Sequence, residues 1–228
     1  MGIWNGPALP GFFYGLMMKF TAKQIAPLLA LIGRAESRGD YGIVSGFVPK
    51  ALRPRDLTAM TVAEVQAWQK KVVEQGAKSS AAGFYQIIRK TLSEIVDAGA
   101  VLPSERFDKS CQDAAGAYLL RKRGLGEYLS GRKSLDAMMV SLAQEWASFP
   151  VPHDMQGSAR WVRAGQSYYA GDGLNASGAT VADVRAALVE SKARFDGPFE
   201  VGEPGSGCLG ARIVEALANL LKSMFGGK

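Results

Sequence analysis

The sequence has little of the chemistry from which protein metal sites are built. It contains two cysteines and one histidine in 228 residues. Cys111 and Cys208 form no CxxC pair, and His153 has no second histidine near it. Because structural and catalytic zinc sites draw on clusters of these residue types, we expect no metal site. The spacing of the two cysteines does not imply a disulfide between them.

Long apolar runs are also missing. No stretch reaches the roughly 20 consecutive apolar residues that span a bilayer. Residues 1–18 are apolar and aromatic, but they lack a charged start and a small-residue cleavage site, and they contain Pro7 and Pro10. This is not the pattern of a signal peptide. We therefore expect a protein that is made without a signal peptide and is soluble or peripheral to a membrane.

Acidic residues are fewer than basic residues. The formal net charge is +6 and the isoelectric point is about 9.3, which favours an acidic polymer, an anionic membrane surface or nucleic acid as a partner. The densest basic cluster, 121–123, falls in the expected last turn of a helix, where cations interact favourably with the helix dipole. No basic arm of the kind that binds nucleic acid is present, so we do not expect a nucleic-acid partner.

What the chain does contain is helical patterning, and it begins at Thr21. Thr21 and Gln24 have capping-box spacing. An apolar stripe then follows at helical intervals and consists of Ile25, Leu28, Leu29 and Ile32. Glu36 continues the same series, so it is predicted on the apolar face at the end of a helix that stops near Gly39.

Several other segments carry helical signals, whereas no long alternation of β-branched residues occurs. The fold is therefore predicted to be mainly α, with a short hairpin in the loop from 40 to 58. One helix is predicted to open at Thr61 and Glu64, which have capping-box spacing, and to bury Val62, Val65, Trp68 and Val72. The other predicted helices run from Phe84 to near Gly99, at about 108–123, at about 134–148, and from Thr180 to near Phe195.

Composition shifts divide the chain into one main domain with appendages. Residues 1–20 form an apolar N-terminal extension, and residues 21–196 form the main domain, whose aliphatic content allows one substantial core. A Gly/Pro-rich linker is predicted at 197–207. Residues 208–228 have the pattern of an amphipathic helix, which we expect to be a docking element.

Glu36 is the residue best suited to acid catalysis. Cleavage of a glycosidic bond needs a carboxylic acid whose pKa is raised enough to protonate the leaving oxygen at neutral pH. Burial on an apolar stripe and the negative end of the helix dipole both disfavour the carboxylate. From spacing alone, an ion pair with Arg34, Arg38 or another basic residue at a helix end is the alternative interpretation.

Motifs after Glu36 narrow the choice of chemistry. Glu36-Ser37 is followed in order by Ser80-Ala-Ala-Gly83-Phe-Tyr85-Gln86, by Gln112-Asp113 and by Trp146-Ala-Ser-Phe-Pro150. This order resembles the lysozyme-like lytic transglycosylases and, more closely, the lambda-type phage endolysins, over roughly residues 21–175. The segment between Glu36 and Gly83 is longer than in the lambda-type pattern, so we expect that lobe of the cleft to be remodelled.

The resemblance implies a lysozyme-like α-helical (α+β) fold with a short hairpin lobe, and bacterial peptidoglycan as the substrate. It implies that Glu36 is the single acid and base that protonates the bond after N-acetylmuramic acid. The 6-hydroxyl of that sugar then attacks and leaves a 1,6-anhydro end, without a metal or an organic cofactor. We also expect Ser37, Gly83, Tyr85 and Gln86 to bind substrate. The alternative role of Tyr85 and Gln86 is helix capping and packing.

Other side chains are candidates for the same cleft. Among the outer aromatic residues, Tyr169 is the strongest candidate for a sugar subsite, whereas Trp146 is expected in the core. Asp40 is the nearest candidate for the second carboxylate of a hydrolytic lysozyme, and it is otherwise an ordinary turn residue. Asp113 and Glu145 are expected to be structural.

Two alternatives to a lytic transglycosylase stay open. One is a hydrolytic lysozyme that uses water in place of the sugar hydroxyl. The other is a virion structural or membrane-interaction protein whose lysozyme-like domain serves for binding. The apolar N-terminus and the linked C-terminal helix lead us to expect a phage-encoded protein. It would be made in the host cytoplasm, act in the periplasm or cell wall, and be carried in the virion or released for lysis.

Overall fold

In the computed structural model, residues 20–171 and 177–197 are described, and within them the fold is mainly α. The helices are α1 (Ala22–Ser37), α2 (Val62–Glu74), α3 (Arg89–Asp97), α4 (Lys109–Lys122), α5 (Leu125–Leu129), α6 (Leu135–Ala143) and α7 (Val181–Asp196). A 3-10 turn spans Lys50–Leu52, and β1 (Met155–Gln156) pairs antiparallel with β2 (Trp161–Val162). Residues 1–19 of the predicted N-terminal extension, most of the predicted linker, Cys208 and the predicted C-terminal helix lie outside the described residues.

Helix α1 forms as its sequence predicted. Thr21 accepts a hydrogen bond from the Gln24 amide, and the Gln24 side chain bonds back to the Thr21 amide, which completes the capping box. The predicted apolar stripe is buried. The helix ends at Arg38 and Gly39, which both have positive φ. The Gly39 amide bonds to the Gly33 carbonyl at 3.1 Å, a common way to close a helix.

The starts of four other predicted elements are confirmed, and one end is not. Capping boxes open α2 at Thr61 and α7 at Thr180, and side-chain caps at Asp108 and Ser134 open α4 and α6. Helix α6 ends at Ala143 rather than near 148, because the chain turns there. Helix α5 was not predicted.

The prediction that a helix begins at Phe84 is wrong, since α3 begins at Arg89. Residues 82–87 instead form a tight loop, which we call the 82–87 loop. Its ends are joined by two backbone hydrogen bonds between Ala82 and Ile87, of 2.9 and 3.2 Å. Gly83 and Gln86 both have positive φ, at 75° and 48°, which no helix can accommodate.

The hairpin predicted in the loop from 40 to 58 is also misplaced. The described strands lie at 155–162, and the 40–58 segment holds none. Its backbone groups pair with the 82–87 region instead of with each other: Val44 forms an isolated bridge with Ala82, and the Ser45 amide donates to the Ala81 carbonyl at 2.9 Å. The loop therefore forms part of a wall rather than a separate hairpin.

Helix α1 lies at the centre of the buried core, packing most extensively against α7 and also against α4. Gly33 has a specific role in this packing, because a Cβ atom there would lie 1.7 Å from Phe84 Cε1. The Phe84 ring thus rests directly on the α1 backbone and stacks on Tyr41, with ring centroids 4.2 Å apart. This contact holds the 82–87 loop beside the end of α1 that carries Glu36. None of the helices in 20–171 or 177–197 is long and apolar enough to cross a membrane.

Candidate functional site

An open cleft of about 480 Å³ lies beside the C-terminal part of α1. Its lining brings together four residues that the sequence predicted for the site, namely Glu36, Tyr85, Gln86 and Tyr169. They come from α1, the 82–87 loop and the segment after β2, so they are distant in the chain. Ser37, Asp40 and Gly83 are not among the lining residues.

The Glu36 carboxyl group is partly buried in this cleft. Its Oε1 accepts hydrogen bonds from Ser148 Oγ at 2.5 Å and from the Ser148 amide at 3.4 Å. Burial raises the pKa of Glu36, and the two hydrogen bonds from Ser148 offset only part of that rise. Within the described residues, Glu36 forms no ion pair with Arg34 or Arg38, so the alternative interpretation of this carboxylate is not what the structure shows.

Ser148 is a site residue that the sequence reasoning did not single out. It is buried and belongs to the Trp146–Pro150 segment, whose Trp146 side chain is in the core as predicted. The Ser148 carbonyl accepts hydrogen bonds from the Gly178 and Ala179 amides, at 2.7 and 3.2 Å. The segment that leads into α7 therefore fixes the serine that holds Glu36. In the sequence, the signal for this residue is the serine of the Trp-Ala-Ser-Phe-Pro motif.

Tyr85 touches the cleft, but its hydroxyl is used inside the protein. It donates to Asp113 Oδ1 at 2.7 Å, and the Tyr41 hydroxyl donates to the same oxygen at 2.8 Å. Lys109 Nζ lies 2.6 Å from Asp113 Oδ2. The pKa of Tyr85 is raised, chiefly by burial and secondly by the nearby Asp113 carboxylate, so the hydroxyl stays a proton donor. These contacts agree with the structural role expected of Asp113.

Gly83 does not line the cleft but packs against the buried Gln112 side chain. A Cβ atom there would lie 2.3 Å from Gln112 Oε1. That oxygen accepts a hydrogen bond from the Phe84 amide at 2.7 Å, and Gln112 Nε2 donates to the Tyr41 and Phe107 carbonyls. The fully buried Gln112 amide therefore ties the 82–87 loop to α4.

Gln86 and Tyr169 lie on the cleft surface in fixed orientations. Gln86 Nε2 donates to the Gly83 carbonyl at 2.9 Å. The Tyr169 hydroxyl donates to the Gln144 carbonyl at 2.8 Å, and the Tyr169 ring packs edge-on against Tyr168 with centroids 5.2 Å apart. These contacts orient both side chains in the absence of a ligand, and such preorganisation lowers the conformational cost of binding.

Ser37 and Asp40 make local contacts outside the cleft. Ser37 is buried, and its hydroxyl donates to the Gly33 carbonyl one helical turn earlier, at 2.8 Å. Asp40 is exposed, and its Oδ1 accepts a hydrogen bond from the Gly42 amide at 2.7 Å, which is a turn contact.

The second acidic residue in the cleft lining is Glu145. Its Oε2 lies 2.5 Å from Arg123 Nε, and its side chain is only 9% exposed. Arg123 also donates to the Gln144 carbonyl at 3.1 Å. This ion pair agrees with the structural role expected of Glu145.

The described residues contain no group of three or more His, Cys, Asp and Glu side chains that could hold a metal ion. The arrangement can still perform proton transfer, because it presents one carboxyl group with a raised pKa to an open cleft. No protein-family model, curated protein or solved structure matches this chain.

Proposed function

We propose that this protein cleaves the glycan strands of bacterial peptidoglycan at the β-1,4 bond between N-acetylmuramic acid and N-acetylglucosamine, by lytic transglycosylation. The observation that carries the proposal is Glu36, whose carboxyl group faces an open cleft, has a raised pKa and is held by Ser148, with no ion pair to any residue that the structure describes. A carboxyl group in this setting suits general acid catalysis near neutral pH.

The reaction needs only one such group. Protonated Glu36 gives its proton to the glycosidic oxygen as the bond to the anomeric carbon breaks, and positive charge develops on the sugar. The resulting carboxylate then takes the proton from the 6-hydroxyl of the muramic acid residue as that oxygen bonds to the anomeric carbon. Glu36 is again protonated, and the product carries a 1,6-anhydro ring. The Ser148 hydroxyl stabilises the carboxylate between the two steps.

The state of the other carboxylates favours this route over hydrolysis. Hydrolytic glycosidases use a second carboxylate to activate water or to form a covalent intermediate. Glu145 is engaged by Arg123, and Asp40 accepts a hydrogen bond in a turn outside the cleft lining. A hydrolytic lysozyme that uses Asp40 is the second candidate, and it requires the loop after α1 to move.

Mass spectrometry of digested peptidoglycan tests the proposal. The wild-type protein and a Glu74→Gln control, altered at an exposed pair with Lys70 on α2, should both release anhydromuramyl products. Glu36→Gln removes the titratable proton with little change in shape and should abolish them. Reducing muramic ends in place of anhydro ends would indicate a hydrolase. Absence of cleavage by the wild-type protein would contradict the enzyme proposal and favour the binding-protein alternative.

Origin and site of action follow from the same proposal. We propose a phage-encoded protein that acts on the wall from the periplasm or as part of the virion, with the segments outside the described residues available for contact with virion proteins or a membrane surface. Deletion of residues 205–228 should abolish such assembly or membrane association and leave glycan cleavage unchanged. Loss of cleavage on deletion would contradict this division of roles.

A further inference from the structure

Two large apolar side chains that are exposed to solvent lie at the cleft. In the part of the chain that the structure describes, the large exposed ones are Phe47, Val73, Ile88, Trp161 and Val189. Phe47 and Ile88, at 47% and 45% exposure, both line the cleft that contains Glu36. Solvent-exposed apolar surface inside a concave site is a feature of ligand-binding pockets, whereas isolated apolar residues on a convex surface need no explanation.

Phe47 is carried by a loop whose backbone is hydrogen-bonded to the segment that contains Ala81. The Ser45 amide donates to the Ala81 carbonyl at 2.9 Å, and Ser45 Oγ accepts a hydrogen bond from the Phe47 amide at 3.3 Å. Arg53 reinforces the loop by donating to the Val48 carbonyl at 3.0 Å. The aromatic ring is therefore exposed on a supported backbone.

Ile88 lies on the neighbouring segment, which is fixed from below by α2. Gln69 is fully buried, and its Nε2 donates to the Ser80 carbonyl at 2.9 Å and to the Ile87 carbonyl at 2.8 Å. Ser80 Oγ also accepts a hydrogen bond from the Arg89 amide at 3.0 Å. This side of the cleft is lined by residues from three segments, at 45–47, 78–81 and 87–88. Hydrogen bonds link the three segments, and α2 supports two of them through Gln69.

Lys78 supplies the charge on this side of the cleft. It lies in the cleft lining, and no other lining residue is basic. Across 20–171 and 177–197, no acidic side chain forms an ion pair with Lys78, whereas Glu145 at the same cleft is already neutralised by Arg123. We refer to Phe47, Lys78 and Ile88 together as the Phe47 wall. It combines an unpaired cation with two exposed apolar groups.

We propose that the Phe47 wall binds the carboxylate-bearing substituent on the 3-oxygen of the muramic acid residue, and this inference rests on the proposed function. That substituent is a lactyl ether, which in the cell wall is extended by a short peptide. Its methyl groups suit Phe47 and Ile88, and a free carboxylate suits the Lys78 ammonium group. The carboxylate comes either from the peptide or, in strands without peptide, from the lactyl group itself. The wall thereby selects muramic-acid-containing strands over glycans built from N-acetylglucosamine alone.

Binding by the full-length Glu36→Gln protein, which retains the cleft but should not cleave, tests this selection. Isothermal titration calorimetry should compare three soluble glycans of equal length: peptide-bearing strands, strands stripped of peptide that keep the lactyl carboxylate, and chitooligosaccharides, which have neither. When Lys78→Met is added to the Glu36→Gln protein, the strands that carry the recognised carboxylate should bind about three- to tenfold more weakly. The same substitution should leave chitooligosaccharide binding unchanged. Added Phe47→Ala should weaken binding of the same strands by about tenfold.

Matched controls separate this effect from general charge. Lys70→Met removes an exposed lysine of α2 whose side chain pairs with Glu74 away from the cleft lining, and it should change none of the three affinities. Salt should weaken binding of the recognised strands more in the Lys78-containing protein than in Lys78→Met. Because Lys78 and Phe47 are exposed, thermal melts of their variants should match those of the parent protein.

The outcomes distinguish this inference from the proposed function. If the wild-type protein cleaves peptidoglycan but Lys78→Met binds all three glycans as its parent does, the inference is overturned and the function stands. An equal loss of affinity for chitooligosaccharides would also overturn it, because Lys78 would then not recognise the substituent. If the wild-type protein cleaves no peptidoglycan and Glu36→Gln binds none of the glycans, the proposed function and the inference about the Phe47 wall are both overturned. A loss confined to peptide-bearing strands would support the peptide as the source of the carboxylate, and a loss on stripped strands would support the lactyl group.

Discussion

Replacement of Ser148 by alanine should move the ionisation of Glu36 to higher pH. Ser148 Oγ lies 2.5 Å from Glu36 Oε1 and opposes the rise in pKa that burial causes. A hydrogen bond to a charged group contributes about 1.5–3 kcal/mol, and one pKa unit corresponds to about 1.4 kcal/mol. The full value does not apply, because the Ser148 hydroxyl also contacts the protonated form of Glu36. In addition, the hydrogen bond from the Ser148 amide, at 3.4 Å, remains in the variant. We therefore expect a rise of about one pKa unit.

In the proposed mechanism Glu36 acts as an acid, so cleavage requires its protonated carboxyl group and the rate should fall as pH rises through the pKa of Glu36. Because Ser148→Ala raises that pKa, the alkaline limb of the pH–rate profile should shift to higher pH by about one unit. The maximal rate should fall, since the carboxyl group is less firmly held. Initial rates on solubilised peptidoglycan, measured from pH 4 to 9, provide the profile.

Two comparisons make this prediction specific. Ser148→Thr keeps a hydroxyl group and should retain the wild-type profile, whereas Ser130→Ala, which removes a helix-end hydroxyl bonded to the Gly126 carbonyl, should change nothing. Direct titration of the Glu36 carboxyl carbon by NMR gives the same pKa without reference to activity. An alkaline limb that stays in place, or moves to lower pH, in Ser148→Ala would refute the assigned role of the hydrogen bond.

Two further predictions concern stability. Because burial raises the pKa of Glu36, the folded state disfavours its carboxylate, and Glu36→Gln should raise the melting temperature at pH 7 by the equivalent of about 1.4 kcal/mol per unit of pKa rise. This gain in stability should appear as pH rises above about 4.3 and vanish below it, where the carboxyl group is protonated in the folded and the unfolded protein. Thermal melts of the two proteins at pH 3.5 and at pH 7 check this prediction. An equal difference in melting temperature at the two pH values would contradict it. Gly33→Ala should cost about 1–3 kcal/mol of unfolding free energy, because its Cβ would meet Phe84 at 1.7 Å. Gly46→Ala, with nothing within 4 Å, should change stability by less than about 0.5 kcal/mol in urea titrations, and equal losses would contradict the packing described.

The helices could be predicted because their signals are local. The caps at Thr21, Thr61 and Thr180 each join residues three apart, so the sequence contains both partners of every bond. The same reasoning placed Glu36 on the buried stripe of α1, which is why its raised pKa was anticipated. The motifs also identified Tyr85 and Gln86, and the preference of sugar rings for aromatic faces identified Tyr169; all three line one cleft.

The errors fall where distant segments decide the backbone. The helical pattern from Phe84 onward is overridden because Gly83 and Phe84 contact Gln112 and Gly33, and those contacts require a tight loop. The 40–58 segment lacks its predicted hairpin because its backbone groups bond to residues 81–83. Local propensity carries no information about such partners.

The sequence by itself determined a mainly α chain, the start of most helices and the carboxyl group with a raised pKa. Only the tertiary structure decided how that group is held, because its partner Ser148 lies 112 residues away in the chain. The structure likewise decided which hydroxyl groups face the cleft and which, like that of Tyr85, are used within the protein. Periodicity specifies which face of an element is buried, whereas the partners of a polar group depend on how the elements pack.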